Sequence, residues 1–323
     1  MNTVCASELR GIASSSYYST NDSNSIMRDC ILNEKNIIST NYGRLIPKYG
    51  EDEVRRKYNH SISFYPNSAL KSISLESQTS IATEMGTFPA ELVTFYESGA
   101  LKRLFPLNGR ISGYWTETDE EKLCNAFEFS FPFGSFKAKI INLYFYESGK
   151  LKAVTLWPGE EITLNTSQGL LPVRIGFSLY EDGSIKSLEP ASPLLLPTPI
   201  GEVVIFDETA LGICGDNNSL CFNENGTVAS LLTTYGKIAV FSKDGTMDII
   251  EPPLRPDPMN IGKKMLVPLK ISFEKHFVKF EGDRIWIYDL YTTRFSINNM
   301  NNSSGLNKSY SCTDCSTCGL CNG

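Results

Sequence analysis

Histidine is nearly absent from this 323-residue chain, which has only His60 and His276. So few imidazoles argue against a histidine-rich metal site or a Ser-His-Asp triad, and leave each histidine to act alone or as a structural group. A basic excess is missing too. With 30 Lys and Arg against 36 Asp and Glu, the net charge is −6, so no global positive field points to nucleic acid or anionic lipid. No apolar run approaches the roughly 18 residues of a membrane helix, so no integral membrane segment is expected. The opening MNTVCASELRGIASSS lacks an apolar h-region, which argues against a secretory signal and makes the cytoplasm the expected compartment. There is no G-x-G-x-x-G at a strand–helix turn, no P-loop, no G-x-S-x-G and no H-E-x-x-H. Amphipathic helix is scarce. The best candidate is TETDEEKLCNAF (116–127), with Thr118 as its candidate N-cap.

What the chain does have is 18 Phe, 15 Tyr and 24 Gly, spread through alternating segments of the kind that form strands. One phrase recurs: FYESGALKRL (95–104), FYESGKLKAV (145–154) and LYEDGSIKSL (179–188), with looser copies FYPNSALKSI (64–73), FNENGTVASL (222–231) and FSKDGTMDII (241–250). The aromatic positions alternate with polar ones at the period of a strand. Gly99, Gly149, Gly183 and Gly226 then supply the positive φ that a tight hairpin needs, with Ser68 standing in for glycine in the first copy. Each copy therefore reads as a β-hairpin. A second phrase lies between them: GTFPAEL (86–92), GSFKAKI (134–140), GLLPVRI (169–175) and GEVVIFD (201–207). Each is a glycine turn followed by a strand. The order is glycine turn, strand, Glu-x-Gly turn, strand, repeated.

The stretch FYESGALKRLFPLNGRISGYW (95–115) adds Asn-Gly-x-x-x-Gly-x-Trp to the hairpin phrase. In this it resembles the MORN-variant repeat family, and four other copies resemble the first half of that motif. The resemblance implies hairpins aligned into one long antiparallel sheet, and a binding or scaffolding role with a protein partner, in some members as an antitoxin.

The fold class expected is all-β: an array of antiparallel β-hairpin repeats forming an extended sheet, with a small β cap and a disordered cysteine-rich C-terminal tail. Residues 1–62 read as an irregular N-terminal segment and 63–251 as the repeat array. EPPLRPDPMN marks a proline-rich connector over 252–260, because proline cannot donate to a sheet. Residues 261–297 alternate strongly and read as the cap that such an array needs. Residues 298–311 are a polar, Asn- and Ser-rich flexible linker, and 312–323 are the cysteine tail.

That tail, YSCTDCSTCGLCNG, places Cys312, Cys315, Cys318 and Cys321 at three-residue steps. Two intervening residues let successive sulfurs converge on one centre, so the candidate ligand is an iron–sulfur cluster or zinc. The run matches the first three positions of a bacterial ferredoxin C-x2-C-x2-C-x3-C-P and departs at Cys321, which comes one residue early. Redox thiol exchange and a tail with no bound metal are the other readings. The five scattered cysteines read as small buried hydrophobes.

Three further patterns stand out in the array. Lys71, Lys102, Lys152 and Lys186 share one repeat position, and Glu97, Glu147, Glu181 and Glu224 another. The expected arrangement is cross-strand Glu–Lys pairing on a solvated face. Tyr65, Tyr96, Tyr146 and Tyr180 are expected to stack as the sheet's own core. CGDNNSLC (214–221) reads as an Asx-rich turn between strands. Nothing pairs a nucleophile with a base, so the function expected is a non-enzymatic repeat scaffold that binds a protein partner, with the tethered tail carrying the metal. The alternative is an enzyme or electron-transfer accessory protein that uses the tail as a redox relay.

Overall fold

The computed structural model describes residues 8–18, 25–51, 54–210, 215–258 and 260–299. The chain is all-β, and its strands pair antiparallel. It forms two units, one from 1–192 with 210–229 and one from 193–209 with 230–323. The first holds β1 (Ile12–Tyr17), β2 (Met27–Leu32), β3 (Ile38–Thr40), β4 (Gly43–Leu45), β5 (Ile62–Phe64), β6 (Leu70–Thr83), β7 (Gly86–Phe95) and β8 (Leu101–Phe105). A short helix α1 (Glu117–Glu121) precedes β9 (Ala126–Phe131), β10 (Gly134–Phe145), β11 (Leu151–Leu156), β12 (Glu161–Thr166), β13 (Gly169–Leu179) and β14 (Ile185–Pro190). β15 (Leu194–Thr198) and β16 (Gly201–Ile205) belong to the second unit, β17 (Leu220–Phe222) to the first, and β18 (Val228–Thr233) contributes to both.

The main sheet of the first unit runs β1–β2–β5–β6–β7–β8–β10–β11–β13–β14–β17. Its register explains its stability. One row crosses it from strand to strand: Cys30, Ile62, Ile73, Val93, Leu104, Leu143, Val154, Phe177, Leu188 and Leu220. Every member is at most 1% exposed, and burying each aliphatic or aromatic side chain is worth about 1.5–3 kcal/mol. The adjacent row, on the opposite face, is Asp29, Ser63, Ser72, Thr94, Arg103, Tyr144, Ala153, Ser178, Ser187 and Cys221. A one-residue slip would exchange these two rows, so the register is strongly specified.

β6, β7, β10 and β13 are longer than the main sheet needs. Register shifts at Ser74/Thr79, Ile140/Asn142 and Arg174/Phe177 bend them. Beyond the bends they build a second set of hairpins: Thr79–Thr83 with Gly86–Ala90, β9 with Gly134–Lys139, and β12 with Gly169–Arg174. These outer hairpins touch one another through Phe88 and Phe129, 6.0 Å apart. They reach the apolar row where Phe131, Phe133 and Phe136 stand edge-on to Phe177 at 5.8–6.0 Å.

The repeated phrase forms the hairpin turns expected of it. In each, the residue at the tyrosine position accepts from the glycine N–H three residues on and donates to the carbonyl four on, as at Tyr96, Gly99 and Ala100. The glycine closing the turn is left-handed, with φ of 87° at Gly99 and 93° at Gly149. Asn223 and Ser242 head the same turn. The Tyr18 N–H bonds the Ile26 carbonyl at the end of the antiparallel β1–β2 pair, which is counted as the first hairpin of the series. Ser68 occupies the glycine position at φ 65°. A left-handed residue with a Cβ costs about 1–2 kcal/mol, and glycine gives back about 0.5–1 kcal/mol in chain entropy. Ser68→Gly is therefore expected to stabilise the protein by about 0.5–1 kcal/mol, read as a raised urea midpoint at constant slope.

A second turn recurs in two of the outer hairpins and in the β3–β4 hairpin, whose turn is counted with theirs, while the β9–β10 hairpin has Phe131 in place of the threonine. Thr40, Thr83 and Thr166 each donate a hydroxyl to the carbonyl of the glycine three residues on, Gly43, Gly86 and Gly169, and accept an N–H from the residue two on. Thr198 and Gly201 do the same in the second unit.

The second unit continues with β19 (Lys237–Phe241), β20 (Met247–Ile250), β21 (Leu254–Pro256), β22 (Lys264–Leu266), β23 (Leu269–Phe273), β24 (Phe277–Glu281), β25 (Ile285–Asp289) and β26 (Arg294–Asn298). β23, β24 and β25 form a meander, with Ser230–Thr233 on its β23 side. β19 lies between β20 and β26. The proline-rich segment is not only a connector, because β21 pairs with β22.

Candidate functional site

The recurring tyrosines are a hydrogen-bonded ladder. Tyr18 donates its hydroxyl to the Phe64 carbonyl, Tyr65 to Phe95, Tyr96 to Phe145, Tyr146 to Leu179 and Tyr180 to Phe222, each at 2.8 Å. Each acceptor immediately precedes the head residue of the next hairpin turn, so every rung ties one repeat to its successor. The rings are half-buried, and no two of these tyrosines stack. Side-chain-to-backbone bonds thus stand where an aromatic core was expected, and the hydroxyls are spent inside the sheet.

The lysine row also differs from expectation. Lys71, Lys102, Lys152 and Lys186 lie over the rings of Tyr65, Tyr96, Tyr146 and Tyr180 at 5.3–5.8 Å, a distance suited to cation–π attraction. Among the described residues no ion pair joins them to Glu97, Glu147, Glu181 or Glu224. Those glutamates lie exposed along the edge made by the hairpin turns.

Burial, and then the glutamate of the following repeat, raises the phenols of Tyr65, Tyr146 and Tyr180. Tyr96 is raised by burial and by Tyr144 ahead of Glu147. The unfolded chain ionises first, as pH passes a free tyrosine value of about 10. Stability is therefore full below that value and falls as pH rises above it. Tyr96→Phe is expected to cost about 0.5–1.5 kcal/mol at neutral pH through its lost bond and to flatten this alkaline decline. Urea midpoints from pH 8 to 11 check both effects.

The two sets of turns meet with a fixed stagger. The Tyr42 hydroxyl, in the outer turn after the first hairpin turn, holds the Leu101 N–H beside the third, at 2.7 Å. Glu84, after the second, lies against Gly149 of the fourth, where an added Cβ would come within 3.2 Å of its carboxylate. Ser167, after the fourth, donates to the Gly226 carbonyl of the sixth. Outer turns Glu84–Met85 and Phe131–Phe133 face hairpin turns Lys150–Leu151 and Glu181–Ser184 across a groove of about 870 Å³. A smaller pocket of about 270 Å³ lies earlier in the array, between Thr40–Asn41 and Glu97–Gly99.

A buried ionic knot anchors the stretch that carries the MORN-like motif. Arg55 bonds Glu120 through Nε at 2.7 Å and Glu91 through Nη2 at 2.7 Å. The Asn108 and Gly109 N–H groups donate to the same two carboxylates at 2.8 Å, and Trp115 Nε1 donates to Glu120 at 2.6 Å. Residues 107–115 are therefore a loop clamped on this knot. An added Cβ at Gly109 would collide with the Glu120 carboxylate at 2.0 Å. The N-cap of α1 is Thr116, reciprocally bonded with Asp119, rather than the Thr118 expected. Thr118 lies inside the first turn, after Glu117.

On the polar face, Arg103 lies over the Tyr144 ring at 4.2 Å and bonds Asp216 at 3.3 Å. Lys152 donates to the Tyr144 hydroxyl at 3.2 Å. Burial raises the Tyr144 phenol, but Tyr96 and Lys152 outweigh it and leave the phenol lowered. The CGDNNSLC segment joins this network beyond a simple turn. Gly215 bonds Thr155, Asn218 bonds Ser187, and Ser219 bonds Glu189.

Cys30 and Cys124 are buried, as expected of scattered cysteines, and burial pushes the Cys30 thiol up to about 11. Cys221 is half-buried. Cys312, Cys315, Cys318 and Cys321 lie outside the described residues. Among the described residues no group of His, Cys, Asp and Glu is placed to hold a metal ion, and no helix is long and apolar enough to cross a membrane. No protein-family profile, characterised protein or solved structure matches the chain.

Proposed function

We propose that this protein is a non-enzymatic repeat scaffold whose array binds a protein partner, and whose tail, through Cys312, Cys315, Cys318 and Cys321, binds an iron–sulfur cluster or zinc. The observation carrying the first part is the spending of the repeat rows. The tyrosine hydroxyls and lysines serve the array itself, while the groove and the glutamate edge remain open to solvent. A groove built across several turns offers area, which suits recognition of another chain. The MORN-like motif of 95–115 agrees with that role. The second part rests on the C-x2-C-x2-C-x2-C spacing alone.

A photoreactive residue at Glu147 on the turn edge and at Lys137 on an outer hairpin, in the full chain in its own cells, tests the scaffold. A discrete protein adduct is expected, and it should persist when the tail cysteines are serine. No adduct from either position would overturn the reading. For the tail, anaerobically purified protein is expected to show thiolate-to-iron absorption or stoichiometric zinc, lost on Cys312→Ser, Cys315→Ser and Cys318→Ser together. Protein that stays metal-free after anaerobic reconstitution would remove that part.

A further inference from the structure

The groove carries enough chemistry to name what it takes. We infer that it seats an extended segment of the partner with a basic residue at every third position and apolar residues between. This rests on reading the array as a partner-binding scaffold.

The floor is apolar and aromatic. Phe131 and Phe133 stack at 4.8 Å, and both are half-buried although edge-on to Phe177 beneath them. Leu151 and Leu179 complete it. Aromatic rings left open beside a buried base are the surface that interface anchors use.

The rim is acidic. Glu84, Glu128, Glu181 and Asp182 line it against one cation, Lys150. Lys137 lies 3.5 Å from Glu128, and Asp182 accepts from Ser184 within its own turn. Glu84 and Glu181 have no ion pair or hydrogen bond to a described residue. The imbalance continues along the edge, where Glu97, Glu147, Glu181 and Glu224 stand at the same place in successive turns. The lysines that could neutralise them lie over tyrosine rings instead. An acidic chain or a nucleic acid is repelled here, and a basic chain is attracted.

The pitch of this edge sets the spacing of the ligand. Successive hairpin turns are two strands apart, so the carboxylates recur about every 9.5 Å. A polyproline-like chain advances about 3.1 Å per residue, or about 9.3 Å in three. Lysine or arginine at every third residue thus meets one carboxylate after another, and where the chain passes Glu181 the residues between can reach the phenylalanine floor.

The test uses the whole protein and a fluorescein-labelled peptide of four Lys-Leu-Pro triplets, followed by anisotropy in low salt. One comparison peptide has four Glu-Leu-Pro triplets. Another has the first peptide's composition with its lysines gathered at one end. The regular basic peptide is expected to bind at least about tenfold more tightly than the gathered one, and the acidic peptide not at all. Glu84→Gln with Glu181→Gln is expected to weaken binding about tenfold, and Phe133→Ala similarly, with thermal midpoints confirming that both variants are folded. Absent binding, equal binding of the regular and gathered peptides, or binding indifferent to these variants would each overturn the inference. The adducts described above separate the two readings. If Glu147 or Lys137 cross-links a partner while the peptide fails, only the seat is wrong; if neither position gives an adduct and the peptide fails, the scaffold falls with it.

Discussion

Arg55→Ala is expected to cost about 3–5 kcal/mol of stability, because it strands two carboxylates in the interior. The Glu91 and Glu120 side chains are 10% and 5% exposed, and Arg55 binds both at 2.7 Å. The N–H groups of Asn108 and Gly109 and the Trp115 indole cannot replace a full positive charge. Acidity should reveal the mechanism. Burial raises the Glu120 carboxyl, but Arg55 and Trp115 more than reverse this and hold it below its ordinary value of 4.5. In the native protein its contribution is present above that value and is lost as pH falls through the lowered one. Without Arg55 burial dominates, the carboxyl rises, and protonation relieves the stranded charge. The gap between variant and native protein should therefore narrow on going from pH 7.5 to pH 5 in urea denaturation. Adding Glu91→Gln and Glu120→Gln should recover part of the loss. A constant gap would show that Arg55 acts through packing rather than charge.

Phe177→Ala is expected to cost about 3–5 kcal/mol, the range for removing a buried aromatic side chain and leaving a cavity. Phe177 is fully buried between Val154 and Leu188 in the apolar row. It also supports Phe131, Phe133 and Phe136 of the outer hairpin. The backbone around it cannot easily move to fill the space. Ile175, a β-branched residue, holds φ 63°, and an added Cβ at Gly176 would lie 2.1 Å from the Val154 carbonyl oxygen. Phe177→Leu should cost distinctly less, because it keeps most of the volume. Denaturation in urea, with fluorescence and hydrogen exchange of β9 read in parallel, checks this. A loss under about 1 kcal/mol for Phe177→Ala would mean that the outer hairpins do not share the core of the main sheet.

The amino-acid sequence is most legible where a single residue must satisfy a local demand. The glycine of each hairpin turn needs a left-handed φ, and so the repeat phrase alone assigns even Ser68 to that place. The outer turns are half visible. Their glycines stand out, but TNYG, TEMG, TSQG and TPIG also carry a threonine three residues earlier whose hydroxyl closes the turn. That threonine is a signal which a reading by glycine spacing passes over. Long-range bonds are not legible. The tyrosines recur plainly, but a hydroxyl that meets a carbonyl 30 to 49 residues on leaves no local trace. Arg55 lies in EDEVRRKY, which reads as a short helical turn or a charged loop, while its partners are 36 and 65 residues away. The expected Glu–Lys pairing fails because the lysines reach tyrosine rings of their own hairpins, which spacing along the chain does not rank above the carboxylates.

The stagger between outer and hairpin turns sets the range over which this array holds itself together. In a simple repeat protein each unit touches only its neighbours, and the ends can fray one unit at a time. Here the tyrosine rungs bind each repeat to the next, while Tyr42, Glu84 and Ser167 reach the next but one. Opening one end must break both kinds of link, so an end repeat is held by its next two neighbours rather than by one. Excising a single repeat would also bring each outer turn against a hairpin turn it was not shaped for.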